Sequence, residues 1–341
     1  MTWSKDLQQG NESEKIRWEL VPFFSGRTLD LGCGHWKTFP HFIGVDNGHH
    51  WGKADADVMI DTCEKLDLFA SQSCDCVFSS HLLEHIYDYK AALREWWRVI
   101  KPGGHLCLYL PHKDFYPNIG EEYANKDHKH DFLPQDIIAA MEEIGGWELV
   151  ENQERNEADE YSFFQAYKKT SGKHIRHTWS EPKPTKTCAI VRYGAFGDMA
   201  QISSLFPWLK AEGYHITLYC QKGGYDVIKN DPHVDRFIVQ GVNEVPPKFL
   251  EEFWNYTRKK YDKWINLCES VEATLLASPG RANWDWPNEV RAKYLDRNYL
   301  EFTHELAQVP GPYRTKFYAT IEEKAWARKT ANWLGKHNIL W

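Results

Sequence analysis

Short apolar runs and amphipathic stretches alternate along this chain. "RTLDLG" (27–32), "FIGVDN" (42–47) and "CDCVFSS" (74–80) are mostly apolar runs bounded by glycine or polar residues, and they predict buried strands. "YKAALREWWRVIK" (89–101) carries apolar residues at helical spacing, then "PGG" turns into the apolar strand "HLCLYLP". "PQDIIAAMEEIGG" reads as a helix, with proline in its first turn and glycines after its end. "WELVENQER" and "YSFFQAYKK" are separated only by residues 156–160, too few for a crossover, so they are expected to pair antiparallel.

The alternation lapses over "KKTSGKHIRHTWSEPKPTKT" (168–187), which is polar, lacks any period and holds two prolines, as linkers do. It then restarts. "TCAIVRY", "HITLYC", "DRFIVQ" and "YDKWINLCE" read as strands, and helices are expected over 198–212, in "GYDVIKNDP" and in "PPKFLEEFWNYTRKK". The pattern therefore gives an α/β domain over 1–170, a linker over 171–186 and a second α/β domain over 187–341.

Composition narrows the class. The chain has 341 residues with 42% hydrophobic and 15% aromatic character, enough for two cores. No apolar run approaches the roughly 18 residues of a membrane span, and "MTWSKDLQQGNESEK" lacks the apolar centre of a signal peptide. The eight cysteines show no CxxC pair and no zinc spacing, which fits reduced thiols in a cytoplasmic protein. Residues 1–170 carry 17 Lys and Arg against 29 Asp and Glu, whereas 171–341 carry 24 against 19. Either two solvated surfaces differ, or the second half meets an anionic partner. The imbalance is too small to argue for nucleic acid.

In the first half, Gly32 and Gly34 follow a buried strand, where a turn needs positive φ or close approach to a ligand. Asp46 ends the second strand and is placed to accept hydrogen bonds from ribose hydroxyls. Asp61 ends "ADVMID", beside a base edge. Asp30 could anchor the turn or a cationic ligand end, and Ser79, near the end of "CDCVFSS", completes the candidate cofactor-binding set. His81, Glu84 and His85 in "SSHLLEHI" are spaced i, i+3, i+4 and would share a helix face. Packing beneath the cofactor, acid–base catalysis and a divalent-metal site all remain open for them, and no metal is assigned. "NKDHKHDFLPQD" places His128, His130 and Asp131 in a loop before a helix. His130 and Asp131 are candidates to reach an acceptor, against a capping and loop-packing role; His128 and His130 alone make a weak metal pair.

"LDLGCG", "FIGVD", "VFSSHLLEHI" and "WWRVIKPGGHLCLYLP", in that order, resemble the motifs of class I S-adenosylmethionine-dependent methyltransferases of type 11, over about residues 26–168. The resemblance implies a Rossmann-like sheet with an antiparallel final hairpin and S-adenosylmethionine as cofactor. Gly32 and Gly34 would lie along its methionine part, Asp46 at its ribose and Asp61 by its adenine. Trp36 stands where many members have a third glycine.

In the second half, "RYGAFGD" lacks an acidic residue at the end of its second strand, so a second ribose site is not expected. Asp198 stands at a helix N-terminus, either as a cap or as a general base aimed into a crevice. "IVRYGAFGDMAQ…NDPHVDRFI" resembles the opening of family 9 glycosyltransferases, the ADP-heptose:lipopolysaccharide heptosyltransferases, over about 187–280. That resemblance implies the acceptor-binding half of a GT-B fold. Arg192, Gly194, Gly197 and Lys222 would be at the acceptor, with Arg281 a further basic candidate and Asp198 the base. The sugar or glycan acceptor would be anionic, reached without an integral membrane segment. ADP-heptose or another nucleotide sugar would bind only if a donor domain were present. The helical "TIEEKAWARKTANWLGK" and the apolar "NILW" after it suggest a donor domain begun and not continued. The combined expectation is a methyltransferase fused to a heptosyltransferase-like domain in surface-glycan modification. A methyltransferase with a non-catalytic acceptor module, or one acting on an unrelated metabolite, is the alternative.

Overall fold

The computed structural model describes residues 11–48, 55–157, 159–172, 175–177, 184–241, 244–268 and 285–334. It divides into two compact units, residues 1–183 with 243–246, and residues 184–242 with 247–341. Among the described residues no helix is long and apolar enough to cross a membrane.

The first unit is built on an eight-stranded sheet in the order β3-β2-β1-β4-β5-β7-β6-β8. β1 (Thr28–Leu31), β2 (Ile43–Asp46), β3 (Val58–Met59), β4 (Cys74–Ser80) and β5 (Ile100–Pro111) run parallel. β6 (Trp147–Arg155) and β7 (Ser162–Lys169) form the expected antiparallel hairpin, and β7 inserts between β5 and β6. All four residues of β1 are buried, as a central strand covered on both faces requires. Leu31 lies level with Val45 and with Ser79. The turns after β1, β2 and β4 therefore emerge along one edge of the sheet, where ligands of open α/β sheets bind.

α2 (Tyr89–Val99) buries Ala92, Leu93, Trp96, Trp97 and Val99 and is capped by Asp88, whose carboxylate accepts from the Ala91 amide at 2.9 Å. Ile100 already pairs with Cys74, so β5 begins before the Pro-Gly-Gly stretch rather than after it. α3 (Pro134–Ile144) opens on Pro134 and ends at Gly145, with φ of 72°. Trp96 is fully buried and its indole donates to the Cys63 carbonyl at 2.7 Å. Trp96→Ala removes both the packing and that bond, and is expected to cost about 3–5 kcal/mol. Calorimetric unfolding checks it; an unchanged midpoint would show that α2 is not part of the structural core.

The structure adds one element and changes one expectation. Residues 12–20 form a helix, α1, hidden by a polar sequence because only Ile16, Trp18, Glu19 and Leu20 are buried. Residues 171–186 are not linker throughout: β8 (Ile175–His177) extends the sheet parallel to β6.

The second unit holds a four-stranded parallel sheet in the order β11-β10-β9-β12, from β9 (Thr187–Val191), β10 (His215–Gln221), β11 (Arg236–Gln240) and β12 (Lys263–Asn266). The single helix expected over 198–212 is two, α4 (Phe196–Ile202) and α5 (Phe206–Ala211). Pro207 has no N–H to continue the ladder, and the Ser203 and Ser204 hydroxyls bond back to the Ala200 and Gln201 carbonyls. α6 (Lys222–Ile228), α7 (Leu250–Thr257) and a helix over Ile321–Leu334 follow expectation. Residues 338–341, read as a strand, and Arg281 lie outside the described residues.

Candidate active site

The turn after β1 has the geometry that its glycines suggest. Gly32 has φ of 69° and donates to the Val45 carbonyl at 2.8 Å; a Cβ there would come within 3.0 Å of the Leu82 side chain. Gly34 has φ of 56°, and a Cβ there would meet no atom within 4 Å, so the chain leaves a cradle open at this point. Asp46 is bound into the same turn. Its Oδ2 accepts from the Gly34 amide at 3.0 Å and its Oδ1 from the Gly48 amide at 2.6 Å. A carboxylate offers about four acceptor positions, so about two remain for a ligand.

Asp30 is buried and accepts from the Thr38 amide at 2.7 Å, a contact of the turn-anchoring kind weighed for it; burial pushes its carboxyl up to about 6. Ser79 is fully buried near the carboxyl end of β4, level with Leu31 and 3.4 Å from its carbonyl. Asp61 is exposed just beyond β3, and Trp36 is exposed in the turn.

Beyond β4 the chain makes one 3-10 turn, Leu83–His85, instead of the expected helix. His81 enters it with φ of 48° and its amide bound to the Tyr109 carbonyl at 2.9 Å. The three side chains still converge, with a fourth from elsewhere. Glu84 Oε1 lies 3.9 Å from His81 Nδ1, His85 Nε2 and His128 Nε2. Glu84 has no exposed surface, and neither carboxyl oxygen has a hydrogen-bond partner. Burial pushes its carboxyl up to about 8, the Glu12 carboxylate adding to the shift. Burial holds His128 down at about 4 and His81 well below its usual value, so both rings are neutral near pH 7. His81 Nε2 pairs with the Ser162 hydroxyl at 2.9 Å, and the His128 ring stacks on Tyr116.

The loop over 128–131 contributes differently from the sequence expectation. The Lys129 and His130 amides donate to the Glu84 carbonyl at 2.8 and 3.2 Å, which brings His128 to the cluster. His130 faces away: its Nε2 meets the Ile86 and Tyr87 carbonyls, and its ring stacks on Phe132. Asp131 accepts from the Ile119 amide at 3.0 Å and holds loop to loop. Both make the packing contacts weighed for them, and His128, 44 residues from Glu84, joins the cluster instead.

In the second unit Asp198 makes the capping contacts weighed for it. Its Oδ1 pairs with Arg192 Nη2 at 2.5 Å and its Oδ2 accepts from the Ala195 amide at 2.8 Å, closing the start of α4. Arg192 is buried and also donates to the Leu267 carbonyl at 2.8 Å, so its charge is spent internally. A Cβ on Gly194 would strike the Asp198 side chain at 2.5 Å, whereas Gly197 faces open space. Lys222 is paired with Asp226 one turn along α6.

Residues 29–108 match the family described as Methyltransferase domain. No curated protein matches the chain. Solved structures similar to it include an S-adenosylmethionine-dependent methyltransferase from Archaeoglobus fulgidus, at 21% identity over 46% of this chain and 94% of that one, with a TM-score of 0.36. Another, from Mesorhizobium loti, is 16% identical over 47% of this chain and 99% of that one, with a TM-score of 0.37. The Burkholderia thailandensis 1,6-didemethyltoxoflavin-N1-methyltransferase, solved with S-adenosylhomocysteine, is 16% identical over 47% and 78%, with a TM-score of 0.35. Residues 29–108 thus carry the signature of a methyltransferase domain.

Proposed function

We propose that this methyltransferase binds its cofactor at Gly32, Gly34 and Asp46 and methylates a hydroxyl oxygen of a sugar-bearing acceptor, activated at the cluster around Glu84. One observation carries the reading. A fully buried carboxyl without a hydrogen-bond partner stands among three histidine nitrogens, two residues after Leu82, the residue against Gly32. Packing alone gives no reason to keep such a group, since an unsatisfied buried polar atom costs about 1–3 kcal/mol.

The cofactor, when bound, supplies an electrophilic methyl group. The cradle at Gly34 lets the backbone approach it, and the free acceptor positions of Asp46 suit ribose hydroxyls. Glu84 and the neutral histidines offer lone pairs to the acceptor's hydroxyl proton, and a carboxyl held at about 8 is matched to proton transfer near neutral pH. The family 9 resemblance over 187–280 supports a sugar as the group carrying that hydroxyl. With Asp198 bound to Arg192, the second unit is read as an acceptor-holding module, which raises the acceptor's effective concentration by tethering.

Methyl-labelled cofactor, offered with sugar phosphates, lipopolysaccharide core oligosaccharides and small phenols, tests the reading. Label is expected on a sugar oxygen. Label confined to a phenol or to nitrogen would overturn the sugar assignment.

A further inference from the structure

We infer that Glu84, His85 and His128 form a binding site for a divalent transition-metal ion of the zinc class, with an open position for the acceptor oxygen. The inference rests on the reading of this cluster as the place where the acceptor is activated, and it names the activating group.

The donor atoms are already gathered. One ligand atom from each of Glu84, His85 and His128 lies within 4.8 Å of the other two. Ligands about 2.0–2.2 Å from a tetrahedral ion stand roughly 3.4 Å apart. The 3.9 Å separations from Glu84 Oε1 therefore close on an ion with small side-chain rotations. Two imidazoles and a carboxylate are a donor set suited to zinc, cobalt or ferrous iron, and three protein ligands leave room for a fourth from the substrate.

Burial supplies the independent observation. Glu84 is wholly enclosed and both its oxygens lack a partner, which a cation among these ligands would remedy. The surroundings are shaped as outer support. The His128 ring stacks on Tyr116 and meets the His85 ring edge to face at 4.8 Å, and the Glu84 carbonyl anchors the loop that presents His128. His81 Nδ1 is also 3.9 Å from Glu84 Oε1, but its Nε2 is engaged by Ser162, so it flanks the site. An ion here would orient an acceptor hydroxyl and lower its pKa.

The test uses the full chain, stripped with a chelator and titrated with cobalt(II) chloride, followed by visible d–d absorption and equilibrium dialysis. One ion per chain is expected. Glu84→Gln and His128→Ala should each weaken uptake roughly tenfold or more, while Glu84→Asp retains part of it. His215→Asn, on β10, should leave uptake unchanged. Near-ultraviolet circular dichroism establishes that each variant is folded. A wild-type chain that gains no visible band, or folded variants that titrate like wild type, would overturn the site. Cobalt held through these ligands by a chain that methylates no sugar supports the site and removes the sugar reading. Sugar methylation by a chain that takes up no cobalt does the reverse.

Discussion

Asp46→Ala should weaken S-adenosylmethionine binding at least tenfold. Two ribose hydroxyls donating to a carboxylate form charge-assisted bonds of about 1.5–3 kcal/mol each, and 1.4 kcal/mol is a factor of ten. The variant also strips the Gly34 and Gly48 amides of their shared acceptor, so the turn that forms the cradle loses its tie to β2. Asp46→Asn should recover only part of the loss. Its single oxygen can serve one of the two amides, and its NH2 group opposes the other. Equilibrium dialysis with labelled cofactor measures all three proteins, and equal affinities would discard the ribose assignment.

Glu84→Gln should lower kcat by about 10²–10⁴-fold with little change in cofactor affinity, because the carboxylate acts on the acceptor as charge develops. The same substitution should stabilise the chelator-treated protein increasingly as pH rises from about 5 to 8. The Glu84 carboxyl is pushed up to about 8 in the folded chain from an ordinary value of 4.5. Below 4.5 both states hold the proton and folding carries no penalty. As pH rises toward 8 the unfolded chain ionises first, and stability falls by about 1.4 kcal/mol per pH unit. Glutamine has no such loss, so the variant's advantage in unfolding midpoint should grow between pH 5 and 8. The groups facing Glu84, namely His81, His85, His128 and Glu12, remain in both proteins. An advantage that shrinks with rising pH would show that the buried carboxyl is already ionised.

Much of the first unit was legible because its signals are local. The bounds of β4 and β6, the apolar face of α2, and the proline-to-glycine frame of α3 all follow from residues within or beside one element. The short loop over 156–160 sufficed to predict the antiparallel hairpin. Failures came where a distant partner or a backbone break decides. Pro207 divides what apolar spacing joins into one helix. α1 shows a polar sequence because its burial is confined to a few positions near its end. Within the candidate site, the i, i+3, i+4 spacing of His81, Glu84 and His85 did signal convergence, although a 3-10 turn produces it. Nothing local marked His128 over His130. That choice is made by the Lys129 and His130 amides bonding to the distant Glu84 carbonyl. Asp198 was open to both cap and base from its helix N-terminal position, and its contacts with Arg192 and the Ala195 amide, which the structure adds, are those of a cap.

Co-crystallisation of the chain with S-adenosylhomocysteine tests the central claim most directly. The ligand should lie at the edge formed by the turns after β1 and β2, its backbone neighbours at Gly32 and Gly34 and both ribose hydroxyls on the Asp46 carboxylate. Ligand bound in the second unit, or in the first with its ribose away from Asp46, would contradict the account.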